Sequence, residues 1–200
     1  MYKFLFSILL TLSLLQGNDF QNIKSAYLKS YDYEQMGRYG EAIKVLTPLI
    51  NKYPKGYTLN LRFGWLFYLN KNYNDSIKFY KKASLLSPYA LDPKLGLTRD
   101  YLDTYAFKKA EMVTYEILKI DFYNYYANIY AIQALNAQKK YEASTKITKK
   151  MLLLYPTDVS FLELLAVIYK NTNNKLLPKL YGDILILDPN NVFARSNLLK

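Results

Sequence analysis

A recurrence at 34 residues constrains this chain more than any other feature. Pro54, Pro88 and Pro156 stand on one register, with Phe122 at the intervening place, and Pro189 follows one residue short of the next. The same interval carries an aromatic column, Tyr39, Tyr73, Phe107 and Tyr141, which is lost at Lys175. It carries a small-residue column, Ala42, Ser76, Ala110 and Ser144, broken by Pro178, and an apolar one, Tyr33, Phe67, Tyr101, Leu135 and Tyr169. Agreement among these columns implies units that cannot bury an apolar face alone and so must stack on their neighbours. Two positions depart from the pattern: Lys29 stands where a large apolar residue is expected, and Ile132 where a small one is.

The unit from Leu61 to Pro88 shows what is being repeated. In Leu61-Arg62-Phe63-Gly64-Trp65-Leu66-Phe67-Tyr68, the residues Phe63, Gly64 and Phe67 share one helical face, because i, i+1 and i+4 fall together at 3.6 residues per turn. After a polar turn, Ser76, Tyr80 and Ala83 share the face of a second helix, and Pro88 ends the unit. Gly64 costs a helix interior about 1 kcal/mol against alanine, which predicts close helix approach there, against the small stripe of Ser76 and Ala83. This arrangement resembles the tetratricopeptide repeat, W-x2-L-G-x2-Y...A-x3-F...P, with Phe63-Gly64, Phe67, Ser76, Tyr80, Ala83 and Pro88 at matching places. The resemblance covers roughly residues 23 to 190 and implies an all-α solenoid of antiparallel helix pairs wound as a right-handed superhelix. The repeats run about 23–56, 57–90, 91–124, 125–158 and 159–191, with a terminal helix over 192–200 covering the last apolar face. In the fifth unit Pro178 suits a first helical turn, so the second helix is expected to begin late. Asn72, three residues before Asp75, reads as a helix cap.

The opening residues carry a different signal. Met1-Tyr2-Lys3 is positive, Phe4 to Leu15 is an apolar run of twelve residues, and Gln16-Gly17-Asn18-Asp19 is polar. Twelve residues fall short of the ~20 that a spanning helix needs, and the order is that of a secretory signal. Cleavage after Gly17 is expected, leaving a mature solenoid domain over 18–200 that is exported, and periplasmic if the source is bacterial. Asn18 stands where a lipidated cysteine would be, which excludes that anchor.

For catalysis the inventory is poor. The chain has no histidine and no cysteine, so the commonest general base, the soft metal ligands and the activated thiol are missing. Asp100 and Asp103 lie one helical turn apart, a spacing open to acid-base chemistry or calcium, with solvated surface charge as the plainer reading. Gly37 and Gly40 flank a helix-pair turn and form no phosphate loop. No enzyme, no cofactor and no metal site is expected.

A solenoid of this class binds along the surface lined by its first helices. One column there is Tyr31, Trp65, Arg99, Gln133 and Val167, and beside it run Tyr27, Leu61, Leu95, Ile129 and Glu163. Flat aromatic faces next to a guanidinium are enriched at interaction hot spots. The competing reading is that Trp65 and Tyr27 merely pack between repeats. Repeats of this family that clamp a terminal carboxylate use a basic, asparagine-rich set; Tyr27, Tyr31, Arg62, Asp92 and Gly96 occupy those places and disfavour that use.

The net charge is +11, with Lys3 belonging to the leader. Lys44, Lys78 and Lys146 repeat on the second helices, joined by Lys81, Lys82, Lys149 and Lys150 one turn on. A positive convex side favours acidic protein, an anionic polysaccharide or a membrane surface, and export argues against nucleic acid. The expected function is a non-enzymatic scaffold or adaptor in an envelope or secretion assembly, holding a protein or peptide segment in its groove. The alternative is an accessory protein for export of an anionic exopolysaccharide, with the aromatic and basic residues contacting glycan.

Overall fold

In the computed structural model, the described residues are 2–198, with side chains described for 19–198, and they are helical wherever they form regular structure. The expected leader, 1–17, lies outside the residues with described side chains. Among the described residues, no helix is long and apolar enough to cross a membrane. The helices are α1 Tyr2–Gln35, α2 Tyr39–Lys52, α3 Tyr57–Leu69, α4 Tyr73–Leu86, α5 Asp92–Asp103, α6 Phe107–Ile120, α7 Tyr125–Ala137, α8 Tyr141–Leu154, α9 Val159–Asn171, α10 Leu177–Leu187 and α11 Val192–Leu198. They group into two compact units, Met1–Pro88 and Tyr89–Lys200.

One turn joins every helix pair. Gly37, Lys71, Tyr105, Lys139 and Asn173, each 34 residues from the next, have φ between 52° and 71°. The following N–H reaches back 2.7–2.9 Å to the carbonyl of Tyr33, Phe67, Tyr101, Leu135 or Tyr169. This is the left-handed helix ending in which the six-to-one bond satisfies a terminal carbonyl. Only Gly37 adopts it without the side-chain cost of about 1–2 kcal/mol; at the other four places the closed turn holds a residue with a Cβ.

The aromatic column then opens the second helix of the first four pairs, at Tyr39, Tyr73, Phe107 and Tyr141. One turn later Ala42, Ser76, Ala110 and Ser144 have no exposed surface, since the crossing leaves no room for anything larger. Gly64 shows the same crowding, and of the expected small stripe Ser76 meets its backbone while Tyr80 fills the space a Cβ would take. A Cβ there would lie 2.6 Å from Cδ1 of Tyr80; the buried Tyr80 ring fills the space, and the Ser76 hydroxyl donates to the Gly64 carbonyl at 2.8 Å. The expected cap also forms, the Asp75 N–H donating to Asn72 Oδ1 at 3.3 Å.

In the first unit, the core gathers Ala42, Leu46, Leu59, Phe63 and Leu66. The Phe79 ring lies 4.9 Å from Phe63 and stacks on Phe67 at 5.4 Å. In the second unit, Ile132, Met151 and Phe161 form one cluster, and Leu162, Leu165, Ala166, Leu180, Tyr181, Ile184 and Ala194 form another. Helix α10 begins at Leu177 with Pro178 in its first turn. Ala194 of α11 is fully buried against α9 and α10 residues, so this short helix does cover the apolar face that the fifth pair leaves.

Two buried asparagines tie the loops between pairs. Asn60 Nδ2 donates to the carbonyls of Pro54 (3.1 Å) and Gly56 (2.7 Å). Asn128, two periods on, donates to those of Phe122 (3.2 Å) and Asn124 (2.8 Å). Each satisfies backbone acceptors that would cost about 1–3 kcal/mol if buried without a partner. Asp100 corrects the sequence reading: it is fully buried, while Asp103 is exposed, so the pair is not two solvated surface charges.

Candidate binding groove

In the first unit the groove residues stand on α1 and α3. Tyr31 is 48% exposed, while Tyr27, Leu61 and Trp65 are half-buried. Rings of Tyr27 and Tyr31 lie 6.5 Å apart, as i, i+4 neighbours must on a helix. Burial pushes the Tyr27 phenol up, with a hydrogen bond to Thr58 opposing it. Trp65 is held by contacts within the unit: its indole N–H donates to Glu34 Oε1 at 2.5 Å and its ring stacks on Tyr68 at 5.7 Å.

The guanidinium over Tyr31 belongs to Arg62, its Cζ 3.9 Å from the ring centre. Arg62 is 7% exposed; it donates to Ser30 Oγ at 3.2 Å and forms an ion pair with Glu34. Glu34 therefore accepts from Trp65 with one oxygen and faces Arg62 with the other, fixing both groups against α1. A planar donor fork shared among carboxylate, hydroxyl and aromatic face is a use that only arginine fits. The Arg62 guanidinium is thus engaged by Glu34 within the unit.

In the second unit, Arg99 and Gln133 come from α5 and α7, helices that pack side by side, as do α7 and α9. Arg99 is half-buried and Gln133 exposed. Burial pushes the Tyr130 phenol up, and the charge of Arg99 opposes that shift. The two predicted columns meet in a cavity of about 310 Å3 walled by Ile129, Leu164, Val167 and Phe193, with Gln133, Ser160 and Glu163 as its polar groups. Glu163 accepts from Asn191 Nδ2 at 2.7 Å, which ties the wall to the loop before α11. Apolar walls with a few fixed polar groups suit a side chain of an extended segment.

On the second helices, Lys44, Lys78, Lys81, Lys146 and Lys149 are exposed as expected. Lys82 and Lys150 are not: both are half-buried. Lys150 folds back so that Nζ donates to Asn128 Oδ1 at 2.8 Å and lies 3.8 Å from the Phe122 ring centre. Burial lowers its pKa, so this lysine serves the loop tied by Asn128. Among the described residues no group of three or more His, Cys, Asp or Glu is placed to hold a metal.

Glu34 and Phe193 were not singled out by the sequence. Glu34 has no counterpart at 34-residue spacing, since Tyr68, Leu102, Asn136 and Lys170 follow it, and Phe193 lies beyond the last repeat. Recurrence therefore had no purchase on either. Asn60 and Asn128 did carry a signal, the same residue two periods apart.

The arrangement of helices packed in consecutive pairs is shared with solved structures. A tetratricopeptide repeat protein from Parabacteroides merdae is 15% identical, over 89% of this chain and 71% of that one, with a TM-score of 0.81. The fold is that of the tetratricopeptide repeats. MamA from Desulfovibrio magneticus RS-1 aligns over 86% of this chain and 97% of its own, at 14% identity and a TM-score of 0.77. YrrB, described as a tetratricopeptide-repeat protein with an unusual peptide-binding site, covers 88% of this chain and 91% of its own, at 10% identity and a TM-score of 0.72. No protein-family model matches the sequence, and no curated protein matches it. At these identities what is shared is the tetratricopeptide fold.

Proposed function

We propose that this tetratricopeptide-repeat protein is a non-enzymatic scaffold, exported to the cell envelope, that holds an extended segment of a partner protein along its first helices. The observation that carries the reading is the cavity walled by Ile129, Leu164, Val167 and Phe193. It lies where the two predicted groove columns converge and has the size and lining of a side-chain pocket. Within the first unit, exposed Tyr31 and half-buried Trp65 offer an apolar patch of their own, and the peptide-binding description of YrrB supports the same use of the fold.

Trp65 is the chain's one tryptophan, so its emission reports directly on the first-unit patch. Peptides selected from a displayed random library should shift that emission saturably or lose affinity tenfold or more when Val167→Lys fills the second-unit cavity. Trp65→Ala should weaken the first class by about 2 kcal/mol, as hot-spot truncations do. Selected peptides whose affinities ignore both changes would remove the groove from the function.

Export rests on Lys3, the apolar run to Leu15 and the polar switch behind it. Mass spectrometry of protein recovered from its own cells should find the mature chain beginning at Asn18. Intact Met1 in the cytosolic fraction would rule out the envelope location and leave the scaffold reading standing.

A further inference from the structure

A second cavity lies between α6 and α8, on second helices, away from the first-helix columns. Its volume is about 660 Å3, within the range of small-molecule sites. Leu118, Phe122, Ile147 and the ring of Tyr115 make its apolar lining, and the only charged residues around it are Lys119, Lys146 and Lys150. No carboxylate lines it. Glu111, whose charge reaches Tyr115, is itself held by Lys140 at 2.7 Å. Lys119 and Lys146 are exposed, while Lys150 is folded over Phe122.

We infer that this cavity binds an amphiphile with a single alkyl chain and an anionic head, of the class of a medium- or long-chain carboxylate. The alkyl chain occupies the space over Leu118, Phe122 and Ile147, and the head meets Lys119 and Lys146 at the rim. Charge selects the sign of the head, because three cations and no anion surround the opening. The walls select the tail. Six of the seven lining residues lie on helices, Tyr115, Leu118 and Lys119 on α6 and Lys146, Ile147 and Lys150 on α8, with Phe122 in the loop after α6, so at those six the backbone donors and acceptors are spent on helix bonds. An extended peptide laid here would find few side-chain partners for its amides, the lysine amines and the Tyr115 hydroxyl, a desolvation cost that a hydrocarbon chain does not carry. The site thus differs from the first-helix groove in both place and ligand class.

The test uses the purified chain and dodecanoate below its micelle concentration, followed by calorimetry. Dodecanoate should bind saturably near one per chain, and decanoate and octanoate should be weaker by about two- to fourfold per methylene removed. Dodecyltrimethylammonium, with the same tail and the opposite head, should not bind. Lys119→Glu with Lys146→Glu should weaken dodecanoate by about tenfold or more, with an unchanged melting temperature, because both side chains are exposed. Lys150 is left alone, since its bond to Asn128 makes it structural. Equal binding of the cationic amphiphile, no loss on the double charge reversal, or no dependence on chain length would each overturn the proposal. So would association only with anionic phospholipid vesicles and not with monomeric dodecanoate, which points to a membrane surface, or displacement of nothing but a bound acidic peptide, which points to protein. None of these results bears on the groove, whose peptide readouts are Trp65 emission and Val167→Lys.

Discussion

Gly64→Ala lowers the thermal stability of this protein, although in an isolated helix the same change would raise it. Helix propensity favours alanine by about 1 kcal/mol. The added Cβ, however, would stand 2.6–2.8 Å from three ring carbons of Tyr80. That ring is 2% exposed and cannot swing into solvent, so either the ring or a helix must shift. Overpacking of this kind costs about 1–3 kcal/mol, enough to cancel the propensity gain and reverse its sign. Gly64→Leu should cost more, because the longer side chain offers no rotamer that avoids the ring. Combining Gly64→Ala with Tyr80→Leu should cost less than the two single changes added together, since neighbours in contact couple. A Gly64→Ala protein that melts above the parent would show that propensity wins and that the contact is soft.

Glu34→Ala should destabilise the first unit by about 3–5 kcal/mol. The change strips the carboxylate from Arg62, which is 7% exposed and retains only Ser30 and the Tyr31 face. A buried cation left without its anion carries a large desolvation cost. The same substitution removes the acceptor from the Trp65 indole, so tryptophan emission should shift together with the melting curve. Arg62→Met alone should also be costly, through the stranded Glu34. The double variant Glu34→Leu with Arg62→Met should recover much of the loss, because replacing both members of a buried pair by apolar groups is often close to neutral. If Glu34→Ala instead moved stability by less than about 1 kcal/mol, the pair would be behaving as a solvated surface bridge, and Trp65 would not owe its position to Glu34.

These two sites mark how far the sequence could be read. Gly64 was legible as a close approach because a glycine in a helical apolar face needs a reason; the identity of its neighbour was not, since Tyr80 and Ala83 share that face and only the crossing decides which one sits opposite. Counting 34s put Ile129, Gln133, Glu163 and Val167 in two neighbouring columns, and in the second unit these four line one cavity. Counting also assigned Lys82 and Lys150 to an exposed basic face, and the plainer reading of the Asp100 and Asp103 pair put both in solvent, whereas both lysines are half-buried and Asp100 is fully buried. Periodicity reports which helical face a residue occupies, while the depth of that face depends on what the next loop or helix lays across it: here the Phe122 loop over Lys150.

What the sequence by itself determined is the repeat. Proline spacing, and in the first four pairs the aromatic at the start of the second helix and the small residue one turn later, are local requirements of a helix pair, and they recur because each of these pairs must meet the next in the same way. What only the tertiary structure decided is the set of contacts made once. Glu34 bridges Arg62 and Trp65 between α1 and α3, and Phe193 closes a cavity begun by α7 and α9. Lys71, Tyr105 and Lys139 hold a left-handed turn that their own side chains disfavour, because the bond to the first-helix carbonyl and the packing of both helices fix the chain there. Such contacts join residues whose partners lie in another helix and do not repeat, so they leave no period to read.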